Sequence, residues 1–320
     1  MKKLILGLTL ILGLTGCSVT KPIEQEMQEE KITDYSNLSI LSPTGAPALA
    51  LLDLLINEPE MMIDTVEGAD VLQAAFVNPT SEYDVIIAPT NLGAKLAAMQ
   101  KTDYRLAAVL TWGNLTILGV DEADLSNPDK KIAAFGETAV VGLVFNAVKD
   151  ELNLQAEIIW YASVSDAQAA LLSGNVDAAL IAEPAATATV MKAKKDLEKD
   201  FHVLADIQEA WEAKTGSKGY PQASVFILAS SYEEKQAEID CLLNQMKETI
   251  NFGNNSANEE ALIEKIDQVI DSLGTPAAAI TAKAYSGMNL SYREATSVKE
   301  ECKVFLELFD IQDIDAIFLQ

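Results

Sequence analysis

The chain has one histidine, two arginines and three cysteines in 320 residues, and only 6% of it is aromatic. Each scarcity removes a class of chemistry. His202 alone cannot assemble a metal cluster, and it falls in a strand pattern after a charged helix, away from the loops considered below. No Gly-x-Ser-x-Gly elbow, Walker A loop, dinucleotide fingerprint or EF-hand loop occurs. Positive charge is also scarce. Against 48 Asp and Glu stand 23 Lys and Arg, a net charge of −25, which becomes −27 when Lys2 and Lys3 are removed. Nucleic acid is thereby excluded as a partner, because phosphate contacts need a basic patch. Long apolar runs are missing too. Leu4–Leu14 is the longest, shorter than the roughly 20 residues that span a bilayer.

What is present begins with that run. Lys2-Lys3 followed by Leu4–Leu14 has the charged and apolar regions of a secretory signal, and it ends in Leu14-Thr15-Gly16-Cys17. Residues 1–16 are therefore expected to be a signal peptide. Residues 17–37 are polar and acid-rich without an apolar period, and are expected to be a flexible tether. The body, about 280 residues from Leu38 on, is 49% hydrophobic with mean hydropathy +0.13. It is too long for one growing core, so two lobes are expected. Cys241 and Cys302 both fall in helical patterns, and a disulfide and two buried thiols are both open.

The body repeats a plan. Ser163–Thr189 reads as a helix capped by Ser165 with Gln168 bonding back, a stop at Gly174, a turn to Asp177, an apolar strand Ala178–Ala182, and Glu183-Pro184. Earlier, Asp70–Phe76 is helical, Asn78–Tyr83 turns, Asp84–Ala88 is an apolar strand, and Pro89-Thr90-Asn91 ends it. Asp84 and Asp177 are 93 residues apart. Two strand–Gly–helix units accompany the repeat, one at Thr44-Gly45-Ala46 and one at Gly136-Glu137-Thr138, with Thr138 as expected N-cap. The expected fold class is α/β, with lobe 1 made of 38–118 plus 223–320 and lobe 2 of 119–222. Hinges are expected near Leu115–Asp121 and Tyr220–Val225. Ligands of open α/β sheets sit beyond the carboxyl ends of the strands, so a cleft between the lobes is the expected site.

The Leu14–Cys17 stretch resembles the lipobox of bacterial lipoproteins, a family in which the cysteine becomes the first mature residue and carries lipid on its sulfur. Together with two α/β lobes and Gly174–Thr187 (GNVDAALIAEPAAT), the chain resembles the solute-binding lipoproteins of ABC importers, in the nitrate, taurine and thiamine-precursor branch. The tail Asp313–Gln320 departs from the usual ending of that branch. The resemblance implies a type II periplasmic-binding-protein-like fold with a closing cleft and a helical C-terminal part of lobe 1. It implies a monomer without cofactor, metal or catalysis, lipid-anchored at Cys17 on the extracytoplasmic face of the cell membrane. Its partners would be a small solute and the permease and ATPase of an importer.

The ligand loops carried over are Thr44, Gly45 and Ala46; Thr90 and Asn91; Trp112 and Asn114; Gly136, Glu137 and Thr138; and Glu183. Neither Arg105 nor Arg293 lies in them, which argues against bidentate recognition of a carboxylate or sulfonate. Two ligand readings stand. A small anion would meet N–H groups at Gly45 and Gly136 and the hydroxyls of Thr44, Thr90 and Thr138. A planar nitrogen compound would stack on Trp112 or Tyr220 and donate to Glu137 or Glu183. Two carboxylates in the cleft favour the second. They would also serve as an acid/base pair, which keeps a pyrimidine-precursor synthase or small lyase as an alternative beside a sensory lipoprotein.

Overall fold

A computed structural model describes residues 34–312 and 314–320. The signal peptide, Cys17 and most of the expected tether lie outside the described residues. The body already begins at Tyr35, which packs against the first core, and the Leu38 N–H donates to its carbonyl at 3.1 Å.

Lobe 1 starts with β1 (Ser39–Pro43), a 3-10 turn (Ala46–Leu51) and α1 (Leu52–Asn57). It continues through β2 (Met62–Val66), α2 (Ala69–Val77), β3 (Val85–Pro89), α3 (Thr90–Ala98) and β4 (Tyr104–Thr111). The chain then crosses into lobe 2. There it forms β5 (Leu115–Gly119), β6 (Lys131–Phe135), α4 (Val140–Val148), β7 (Glu157–Tyr161), α5 (Val164–Ser173), β8 (Ala178–Ala182), α6 (Ala185–Leu197), β9 (His202–Asp206) and α7 (Ile207–Thr215). It returns as β10 (Ala223–Leu228). Lobe 1 is completed by α8 (Ala229–Asn254), α9 (Glu259–Gln268), α10 (Ile270–Leu273), α11 (Ala278–Ala284), β11 (Leu290–Glu294) and α12 (Lys299–Glu307).

The lobe 1 sheet has the order β11-β4-β10-β3-β1-β2, and the lobe 2 sheet β7-β6-β8-β5-β9. In each, one side of the sheet is parallel, β3-β1-β2 and β8-β6-β7, and the strands on the other side pair antiparallel. The runs Val85–Ala88 and Ala178–Ile181 are fully buried, as parallel strands covered on both faces require.

The repeat has a physical basis. The Asp84 carboxylate accepts from the Ser39 N–H at 3.0 Å, and the Asp177 carboxylate accepts from the Lys131 N–H at 2.9 Å. Each aspartate thus stands before one parallel strand and pins the first residue of its neighbour. Each also holds a lysine, Lys235 on Asp84 and Lys130 on Asp177, both at 2.9 Å. Burial pushes both carboxyls up, and hydrogen bonds outweigh it. Ser231, Lys235 and the Ser39 N–H hold Asp84 below its ordinary value, and Lys130 and the Lys131 N–H do the same for Asp177.

A group depressed in the folded state adds stability above its unfolded pKa and loses it as pH falls through the folded value. Stability should therefore hold down to about pH 4 and fall below it. Urea midpoints across that range check this. Asp84→Asn should flatten the acid limb, and an unchanged limb would count against the assignment.

Several local expectations are corrected. Residues Leu115–Gly119 pair with β8 and β9, so the first crossing is Trp112–Asn114 and lobe 2 begins before residue 119. Thr90 and Asn91 open α3 rather than a loop. The α5 cap is Ser163, whose Oγ accepts from the Asp166 N–H at 3.2 Å, while the Gln168 amide donates instead to Thr189 at 2.7 Å. Ala139, without a side-chain bond, stands where Thr138 was expected to cap α4. Cys241 and Cys302 are free thiols, and burial pushes Cys302 up to about 12. His202 is exposed on β9.

A continuous core runs from lobe 1 through the crossings into lobe 2. At its centre Tyr220 stacks on Phe305 of α12, with centroids 5.9 Å apart. Trp211 of α7 meets both rings edge-on, at 5.7 and 6.4 Å.

Candidate ligand-binding cleft

Five carboxyl-end or turn residues of lobe 1, Pro43, Thr44, Ala46, Pro47 and Pro89, form one wall of a cavity of about 340 Å³. Thr111 and Asn114 from the first crossing and Gln222 and Ala223 from the second form its floor. Val140, at the start of α4, faces them from lobe 2. Larger surface hollows exist, of about 450 Å³ between α8 and the C-terminus, about 600 Å³ between α6 and α11, about 410 Å³ between the end of α8 and α11, and about 380 Å³ between α7 and the segment that leads into β11. None is lined by the carboxyl ends of the parallel strands β1 and β3, so the inter-lobe cleft is the candidate site.

The cleft is lined mostly by apolar surface, with Thr44, Thr111, Asn114 and Gln222 as its polar residues and, among the described residues, no charged side chain. Three chain segments start helical turns at its edge: the 3-10 turn at Ala46, α3 after Pro89, and α4 at Val140. The first N–H groups of such turns have no partner within the helix, and the dipole makes these ends partly positive.

The floor is held by a relay of amides. The Glu183 carbonyl accepts from Asn114 Nδ2 at 2.8 Å, and Asn114 Oδ1 accepts from Gln222 Nε2 at 3.2 Å. The Glu183 N–H donates back to the Asn114 carbonyl at 2.8 Å, and the Gln222 N–H donates to the Thr111 carbonyl at 2.9 Å. Beside this relay, Gln208 of α7 clamps Leu115 like a strand neighbour. Its Oε1 accepts from the Leu115 N–H at 2.9 Å, and its Nε2 donates to the Leu115 carbonyl at 3.1 Å. The two crossings are thus tied to each other and to lobe 2.

Of the residues expected from sequence, Thr44, Ala46 and Asn114 line the cleft. Gly45 sits between two of them at φ 90°, but its N–H donates to the Leu273 carbonyl at 2.8 Å and is committed. Thr90 is fully buried, its hydroxyl 2.7 Å from that of Ser224. Asn91 is half-buried in the first turn of α3, outside the lining. Gly136 makes the turn before α4 at φ 64°, while Glu137 and Thr138 project from that turn into solvent.

The two aromatic platforms are not in the cleft. Trp112 is 2% exposed, donates Nε1–H to the Ser291 carbonyl at 2.8 Å, and carries the Arg293 guanidinium 4.0 Å over its ring. Tyr220 is buried in the aromatic trio. Stacking of a planar solute on either ring is therefore ruled out in this conformation.

The Glu183 carboxylate turns to its own helix. It accepts from the N–H and the hydroxyl of Thr187, both at 3.0 Å, and so caps α6. Burial raises its pKa, and the two Thr187 bonds oppose the rise. With Glu137 in solvent and Glu183 capping a helix, the two do not meet as an acid/base pair in the cleft. Thr111 and Gln222 went unread as site residues. The available signal was their position, one polar residue at each end of the paired crossings.

No family model and no curated protein matches the chain. Solved structures do. An ABC transporter from Parabacteroides distasonis is 18% identical over 88% of this chain and 95% of that one, with TM-score 0.69. The periplasmic aliphatic sulphonate binding protein SsuA from Escherichia coli is 19% identical over 89% and 92%, with TM-score 0.61. A putative nitrate transport protein from Thermoplasma volcanium is 14% identical over 86% and 95%, with TM-score 0.52. The two-lobed fold is the one these proteins share.

Proposed function

We propose that the chain is the solute-binding component of an ABC-type importer. It captures a small organic solute between its lobes and hands it to a permease and ATPase at the membrane. The observation that carries this is the cleft itself. It sits at the carboxyl ends of the strands and between the starts of three helical turns, and its floor is the pair of crossings about which two lobes would close. Its lining offers amides, hydroxyls and N–H groups and no titratable side chain among the described residues, which suits capture and release rather than proton transfer. The fold shared with proteins named for sulphonate binding and nitrate transport supports the same role. The Lys2–Cys17 pattern supports export and lipid attachment at Cys17, with the body held as a monomer at the outer face of the cell membrane.

Two measurements test the proposal. Protein dialysed against a deproteinised cell extract should retain a small solute, and small-angle scattering should show a smaller radius when that solute saturates it. Retention of nothing would sink the proposal. In cells, Cys17→Ala should release the body to the medium or leave an unprocessed precursor. If the variant is processed and still carries lipid, the anchor is wrong while solute binding stands.

A further inference from the structure

The amide relay under the cleft decides which polar atom faces the solute. A carbonyl can only accept a hydrogen bond, so Asn114 must present its Nδ2 to the Glu183 carbonyl. Asn114 is then left with Oδ1 toward Gln222, and Gln222 must present Nε2 to it. The remaining atom of Gln222 is Oε1, an acceptor. Among the described residues no group donates to it, and the same holds for the enclosed Thr111 hydroxyl. Both residues line the cleft. The chain of roles starts at a backbone carbonyl of lobe 2 and passes through both crossings, so the amide of Gln222 is not free to turn over and offer a donor instead.

We infer that the solute is read by Gln222 Oε1 and carries an N–H or O–H donor at the end that meets the crossings. The inference rests on the reading of this cleft as a solute site and narrows its ligand. An enclosed acceptor without a donor is unfavourable, and a donor-bearing solute removes that deficit where a donorless one preserves it. Oε1 is shut off from solvent in this conformation, so a solute reaches it as the lobe walls above it open while the Asn114–Gln222 bond between the crossings holds. The lining has no cation among the described residues to hold an anion by charge. A sulfonate or nitrate without a donor would meet helix ends on one side and a bare carbonyl oxygen on the other. A neutral amide, an amino-substituted heterocycle or a zwitterion with an ammonium end satisfies the floor.

The test uses pairs that differ by a donor: 2-aminopyrimidine with pyrimidine, and taurine with ethanesulfonate, with nitrate as a fifth probe. Binding is measured by calorimetry on the full chain. The donor-bearing member of a pair should bind at least about tenfold more tightly than its partner. Gln222→Leu should shrink that gap to about twofold or less while leaving unfolding cooperative. Equal or tighter binding by pyrimidine, ethanesulfonate or nitrate overturns the inference and leaves solute binding intact. If Gln222→Leu does not fold, the wild-type pairs decide. If none of the five binds, the solute retained from the cell extract takes their place. One without an N–H or O–H overturns the inference, and one that carries a donor and loses about tenfold or more on Gln222→Leu supports it. Silence from both panel and extract overturns the solute-binding reading as well.

Discussion

Asp84→Ala is expected to lower folding stability by about 1.5–3 kcal/mol, the range for hydrogen bonds to a charged group, because the carboxylate is buried while its Lys235 partner is 37% exposed. The Asp84 side chain is 8% exposed and holds two other elements, β1 and α8, at once. It accepts from the N–H and hydroxyl of Ser39 at the start of β1. It also accepts from the Ser231 hydroxyl at 2.6 Å and the Lys235 ammonium at 2.9 Å, both on α8. Alanine strands the Ser231 hydroxyl and the Ser39 N–H and leaves Lys235 without its counter-charge, while the Ser39 hydroxyl keeps its bond to the Glu82 carbonyl. Asp177→Ala, at the matching place in lobe 2, should be much milder, because its carboxylate is 31% exposed and water replaces the lost bonds. Urea unfolding of both variants measures the difference. A loss below about 1 kcal/mol for Asp84→Ala would sink this account.

The second large effect is expected at Gly219. Its φ of 73° is left-handed, and a Cβ there would run into the Trp112 carbonyl of the other crossing. Gly219→Ala should combine about 1–2 kcal/mol of backbone strain with about 1–3 kcal/mol of steric displacement. The displacement falls between the crossings, so solute affinity should drop along with stability. Gly216→Ala is the control. Its φ is 78°, and nothing lies within 4 Å of a Cβ there, so only the strain should appear. Equal unfolding midpoints for the two variants would show that the crossings do not press on each other at Gly219. Gly113 has φ 87°, and a Cβ there would come within 2.5 Å of the Tyr220 ring, so Gly113→Ala should behave like Gly219→Ala.

Much of the fold was legible because its signals are local. The runs Val85–Ala88 and Ala178–Ile181 are apolar, preceded by an aspartate and ended near a proline, and both are central strands. The aspartates gave away the repeat because each meets the same need, a backbone N–H at the start of the neighbouring strand. Strands β2 and β11 went unread. They are the two edges of the lobe 1 sheet, and MIDTV and LSYRE carry the polar side chains that edges tolerate.

The site was only partly legible, because facing is decided at long range. Trp112 sits one residue from cleft-lining Thr111, yet its ring is claimed by Ser291 and Arg293, which follow it by well over a hundred residues. Tyr220 is likewise two residues from Gln222 but belongs to a core completed by Phe305. Glu183 is the exception. Its bond to Thr187 spans four residues, and a helix-capping reading of Glu183 was available from the sequence alone.

The order of strands in lobe 1 bears on how the chain is made. Strand β10 lies between β3 and β4 and pairs with both, yet the whole of lobe 2 is synthesised between β4 and β10. A chain growing from a ribosome can complete the sheet of lobe 2 as soon as β9 emerges. The edges of β3 and β4 that will meet across β10 stay open until Leu228 has followed, a wait on the order of ten seconds at ordinary elongation rates. During that interval the fully apolar Val85–Ala88 edge is the part of the nascent protein most open to wrong pairing.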